Sequence, residues 1–190
     1  MKQRWALVVM GAWLMGTICT SIVATENFYT IDRLLAARAN PAFASAVDRL
    51  GAPEGRDLLR YLSSELNRLY FTMWNVAQLV LGGLALWLVD RRGRRIQGGV
   101  VAMLAIVAAM LVYLTPSIVS LGRSLDFVPR DPSPPGMQRF WMLHAAYTSL
   151  EMIKLLIGGV VTYLVARGPS LRRDDVRALE RPLEVHGLEP

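Results

Sequence analysis

The chain has 190 residues, 53% of them hydrophobic and only 19% charged, with a formal net charge of +6. A soluble domain of this size carries about 25% charged residues. The apolar content excludes a disordered chain, and a single cysteine, Cys19, excludes an intrachain disulfide scaffold. The basic excess resembles a nucleic-acid signal, but its position along the chain gives it another meaning.

Four apolar runs are long enough to cross a bilayer, which takes about 20 residues. The first is Trp5 to Ala24, free of charge. A basic start followed by an apolar run and Ile22-Val23-Ala24 also fits a cleaved signal peptide, which would leave three spans. Residues 26–68 follow as a helical segment outside the membrane. Ile31, Leu34 and Leu35 have helical spacing, and Asn40-Pro41 ends that piece. Phe43, Val47 and Leu50 make a second short amphipathic helix that stops at Gly51. Pro53 suits a new start, and Leu58, Leu62, Leu66 and Leu69 line a longer helix running unbroken into the second span, Phe71 to Val89. This segment either caps the bundle or docks a partner.

The third span is Ile96 to Leu121, with Pro116 near one end; Asp131 to Gly136 reads as a turn-rich loop; the fourth span is Phe140 to Ala166. A solvated tail occupies 167–190, with a helical turn around Arg172 to Leu179. Each run is apolar all round, so the fold class is all-α: a four-helix transmembrane bundle with short extracytoplasmic amphipathic helices between spans 1 and 2.

Charge placement gives the orientation. Lys2 and Arg4 precede span 1, Arg91, Arg92, Arg94 and Arg95 fill the turn between spans 2 and 3, and Arg167, Arg172 and Arg173 follow span 4. All fall on one side of a four-span arrangement, whereas residues 26–68 hold six basic and six acidic residues. By the positive-inside rule both termini are cytoplasmic. The basic charge is thus topological and the partner is a lipid bilayer, not nucleic acid. Only two of the 21 basic residues are lysine, which suits a GC-rich bacterial gene and hence an inner membrane.

Polar residues inside spans are costly and face a bundle interior or a wet cavity. In span 4, His144, Tyr147, Thr148, Glu151 and Lys154 lie on or beside one helical face. Span 2 carries a matching stripe of Arg68, Thr72, Asn75 and Gln78; span 1 offers Thr17, Thr20 and Ser21, and span 3 Tyr113 and Thr115. By helical rise, Glu151 and Lys154 lie within about 3 Å of the bilayer centre, with Tyr147 and His144 farther out. The polar residues therefore crowd the outer half, where an outward-open pocket would have Glu151 and Lys154 at its floor. Glu151 would be the charged ligand or proton carrier and Lys154 its counter-ion, with His144 at the mouth. Asn75, Gln78, Tyr147 and Arg68 complete the candidate set.

Each feature also has a structural reading. Glu151 and Lys154 can neutralise each other at i, i+3; Asn75 and Gln78 can glue helices; Trp5, Trp141 and Tyr70 suit the membrane interface. Gly82-Gly83 and Gly158-Gly159 mark close helix packing. Nine methionines without regular Met or His spacing give no metal site, and no phosphate loop, Cys-x-x-Cys, zinc motif or nucleophile elbow is present, so no cofactor is expected.

Glu65-Leu66-Asn67-Arg68-Leu69-Tyr70-Phe71 with Trp74, Gln78 and Gly82, and the block from Phe140 through His144 and Tyr147 to Glu151, resemble two segments of the transmembrane-protein-205-like family of small four-span proteins. Where that family has a serine and an asparagine three and seven residues after the histidine, this chain has Tyr147 and Glu151. The resemblance implies a four-span fold and interest in His144, Glu151 and Asn75; it implies no activity. Three functions follow as expectations. The first is binding or transport of a small molecule or ion. The second is a structural or assembly subunit bound to a membrane protein partner or to further copies of itself. The third is a membrane-embedded enzyme.

Overall fold

The computed structural model describes residues 1–90 and 92–167; the expected tail helix around 172–179 lies outside them. Among the described residues every element is helical: α1 (Lys2–Ala37), α2 (Pro41–Leu50), α3 (Ala52–Val89), α4 (Arg94–Ala109), a π-helical turn (Met110–Leu114), α5 (Thr115–Ser124) and α6 (Met137–Ala166). Four helical stretches are long and apolar enough to cross a membrane: α1, α3, α4 continued through α5, and α6. They form a ring in which α1 packs on α3 and α6, and α4 packs on α3 and α6.

Helix ends are set by breakers, not by hydropathy. The apolar part of α1 fades after Ala24, yet the helix runs on to Ala37, because nothing before Asn40-Pro41 stops it. One short helix therefore stands between the first two spans where two were expected. Asn40 caps it, its side-chain oxygen accepting from Ala42 N (2.9 Å) and Phe43 N (3.1 Å), with Pro41 in the first turn. Gly51, at φ 93, then turns the chain into α3.

At about 1.5 Å per residue, α1 and α3 are each over 50 Å long, against a hydrocarbon layer of about 30 Å. Their ends project beyond α4–α6 as an antiparallel hairpin with α2 at its tip. The hairpin is held by polar contacts: Asn27 Nδ2 donates to Asn67 Oδ1 (2.7 Å), Asn67 Nδ2 to the Ala24 carbonyl (2.8 Å) and Ser63 Oγ to the Asn27 carbonyl (3.3 Å). Arg56 pairs with Asp32 at 3.0 Å, and Arg38 with Asp48.

At the opposite end lie the N-terminus, the turn around Gly93 and the end of α6. Gln3 Nε2 donates to the Val165 carbonyl (2.8 Å), and Arg92 donates to Gln3 Oε1 (3.2 Å). Lys2, Arg4, Arg92, Arg94, Arg95 and Arg167 thus gather at this terminal end. The buried core of the adjoining half is apolar, built on Ala6, Val9, Met10, Leu88, Val89, Val100, Met103, Val107, Val161 and Val165.

Candidate functional site

The polar side chains meet in the other half, toward α2. Lys154 is the key residue. It sits on α6 with its side chain 1% exposed and reaches across the bundle axis to α3, where its Nζ donates to Gln78 Oε1. The same oxygen accepts from Trp13 Nε1 of α1 at 3.0 Å. Gln78 Nε2 donates to Asn75 Oδ1 (3.2 Å), which also accepts from the Tyr147 hydroxyl (3.4 Å). Asn75 Nδ2 donates to Thr115 Oγ1 at 3.0 Å. Each of the four spanning stretches therefore contributes to one connected network.

Glu151 completes it. Its side chain is 10% exposed, and its Oε2 lies 2.6 Å from Lys154 Nζ, one helical turn away. The two form a close ion pair within α6, the ammonium shared between Glu151 and Gln78. Thr17 Oγ1, one turn along α1 from Trp13, is buried and unpartnered.

The π-helical turn brings Thr115 into the cluster. Buried positions Val100, Met103, Val107, Met110 and Leu114 keep a regular helical stripe. Thr115, one residue beyond, would ordinarily point elsewhere. Its N–H instead bonds the Met110 carbonyl five residues back, and the extra residue in the turn rotates Thr115 onto the buried face. Pro116, which cannot donate, follows at once.

Of the candidate residues, Glu151, Lys154, Tyr147, Asn75 and Gln78 converge. Two do not. Arg68 belongs to a separate ionic cluster: it pairs with Glu65 at 2.5 Å and with Asp126 at 2.8 Å, and Arg123 adds a 3.5 Å contact to Glu65. The Arg68 hydrogen bond holds the Glu65 carboxyl below the ordinary carboxylate range. Phe71 and Tyr147, packed edge to face at 5.3 Å, stand between this cluster and Asn75. His144 is not at a pocket mouth. It lies about 60–80° around α6 from Tyr147 and Lys154, stacks on Phe140 and lines a shallow surface groove with Trp141, Thr148 and Met152. The network itself is closed: Asn75, Gln78 and Lys154 are fully buried.

Trp13 and Thr115 are the site residues that periodicity alone does not single out. A tryptophan in mid-span was the available signal for Trp13, since its buried N–H needs an acceptor. Comparisons with known protein families, with characterised proteins and with solved structures gave no match.

Proposed function

We propose that this chain is a multi-pass inner-membrane protein that binds or passes a small polar ligand or ion at the buried network, with Glu151 as the charged ligand and Lys154 as its counter-ion. One observation carries this reading: all four spanning stretches send polar side chains to a single network that includes an ion pair. Adhesion alone does not call for ions, because neutral hydrogen bonds and close packing hold membrane helices together. Charges in the membrane are costly and are typically found on ligand or ion pathways. The gathering of basic residues at the terminal end supports cytoplasmic termini, which would put the α1–α3 hairpin outside the cytoplasm.

A second reading has its own support. The network is closed, and the projecting hairpin exposes Tyr29, Leu34, Leu58 and Leu62. An assembly subunit would use that surface for a partner and the ion pair as architecture. To separate the two, Cys19 is replaced by Ala, Glu151 by Cys, and intact cells are treated with a membrane-impermeant thiol reagent. Labelling of Cys at 151 in an inserted, folded protein is the expected result. Protection would overturn a solvent-reached ligand site and favour the assembly reading.

A further inference from the structure

We infer a second binding place, one helical turn toward α2 from the Trp13–Gln78 bond: the α1–α3 seam takes a neutral oxygen, that of water or of a small uncharged solute, between Thr17 Oγ1 and Trp74 Nε1. It does not require the Glu151–Lys154 pair to bind anything.

The register of the two helices places the pair. Trp13 of α1 bonds Gln78 of α3; eleven residues further along α1 the Ala24 carbonyl accepts from Asn67, eleven residues back along α3. Antiparallel helices locked at both points run in step between them. Thr17, four residues after Trp13, therefore stands opposite Trp74, four residues before Gln78. The helices are close there, since a Cβ on Gly16, the neighbour of Thr17, would lie 2.1 Å from the Trp74 ring.

Thr17 Oγ1 and Trp74 Nε1 are both buried, and neither has a hydrogen-bond partner, in the other or elsewhere. Ser21, one turn further along α1, returns its hydroxyl to the Thr17 carbonyl in the usual way; Thr17 makes no such bond to Trp13. A buried indole N–H calls for an acceptor, as Trp13 shows. The amide acceptors nearest along α3 are taken. A carbonyl oxygen has two lone pairs. Gln78 Oε1 accepts from Trp13 and Lys154, and Asn75 Oδ1 from Gln78 and Tyr147.

The two groups select what fits between them. The indole N–H only donates, so a metal ion, which needs about six oxygens or more, gains nothing from it. An anion would accept from both groups, but a buried charge has to be paired. The ammonium of the network, Lys154, is already held by Glu151 and Gln78. A neutral oxygen has one lone pair for Trp74 Nε1 and a second lone pair or a proton for Thr17 Oγ1. Water, a hydroxyl and an uncharged carbonyl share that chemistry.

The test is ultraviolet resonance Raman spectroscopy, which reads whether an indole N–H is hydrogen-bonded, on the full chain in phosphatidylcholine vesicles. Wild type minus Trp74→Phe isolates Trp74. The expected result is a hydrogen-bonded indole whose band shifts to the free position in Thr17→Val and returns in Thr17→Ser. Should Trp74→Phe fail to fold, wild type minus Thr17→Val carries the test alone, because it must show one indole passing from bonded to free. A free Trp74 indole in wild type, or a bonded one that Thr17→Val leaves unmoved, would overturn the inference. Wild type with added glycerol tells the two sources apart: a further shift of the Trp74 band assigns the place to a small neutral solute, an unmoved band to water. Cys at 151 is read separately. Its protection beside a bonded Trp74 removes the ligand site at the ion pair and keeps this one; its labelling beside a free Trp74 does the reverse.

Discussion

The two halves of the bundle are built from the same helices and held by different physics. In the terminal half, helices approach through glycine: a Cβ on Gly82 would lie 2.3 Å from Leu104 and 2.7 Å from Trp13, and one on Gly99 would lie 2.4 Å from Val161. Lipid tails are as apolar as leucine, so such helices gain by close packing and not by escaping solvent. In the half toward α2 the same helices are joined through Trp13, Gln78, Asn75, Thr115, Tyr147 and the Glu151–Lys154 pair. The contrast teaches that cohesion here does not need charge, since one half manages without it.

The largest expected effect breaks the polar half. Lys154→Met strands the Glu151 carboxylate in a buried site, and removing one partner of a buried pair costs about 3–5 kcal/mol. The double variant Glu151→Leu/Lys154→Met should recover most of that loss, because an apolar pair of similar volume is often neutral. Unfolding in detergent micelles checks both. A single variant as stable as wild type would mean that Lys154 is not what compensates the Glu151 carboxylate.

Next comes the apolar half. Gly82→Ala should cost about 1–3 kcal/mol, as overpacking does. Leu104 can swing aside, but the Trp13 ring is buried and tied to Gln78. The adjacent Gly83→Ala is the control: nothing lies within 4 Å of its added carbon, so its stability should stay within about 0.5 kcal/mol of wild type. Equal effects at the two positions would contradict the packing described.

Arg68→Gln is smaller, about 1–2 kcal/mol, between the cost of breaking a buried pair and an exposed one. The pair it breaks has side-chain exposures of 12% for Arg68 and 15% for Asp126. Because the Glu65 carboxyl titrates below its ordinary range, the Arg68–Glu65 contact should persist through mild acid. It should weaken only as pH falls through that lowered value, which a pH series of the same unfolding measurement would show.

Much of this was legible in the sequence. Four apolar runs gave four spans, and 3.6-residue periodicity put Tyr147, Glu151 and Lys154 on one face and Asn75 and Gln78 on another. What periodicity does not encode is which faces meet. The link from Lys154 to Gln78 depends on the order of helices around the ring, and so does the acceptor for Trp13. Arg68 fits the span-2 stripe by spacing, but Asp126 comes from a loop that no local pattern ties to it. His144 lies close to the buried face by arithmetic, and stacking on Phe140 takes it outside. Thr115 was visible as a polar residue, but its facing depends on a π-helical turn that the sequence signals only through Pro116.

The smallest effect has the opposite sign and is the most discriminating. Ser21, Thr25, Thr72, Ser117, Thr148 and Thr162 each return the hydroxyl to the carbonyl four residues back, the usual way to satisfy it within a helix. Thr17, 2% exposed, has no hydrogen-bond partner for its hydroxyl. In a permanently dry network that group is a cost, and Thr17→Val, which keeps the shape, should stabilise the protein by about 0.5–1 kcal/mol. In a network that admits water or a ligand, the hydroxyl is one of its contacts. The same substitution would then leave stability flat or lower it. Unfolding measurements on this one variant therefore separate a polar half that only binds helices together from one that is visited.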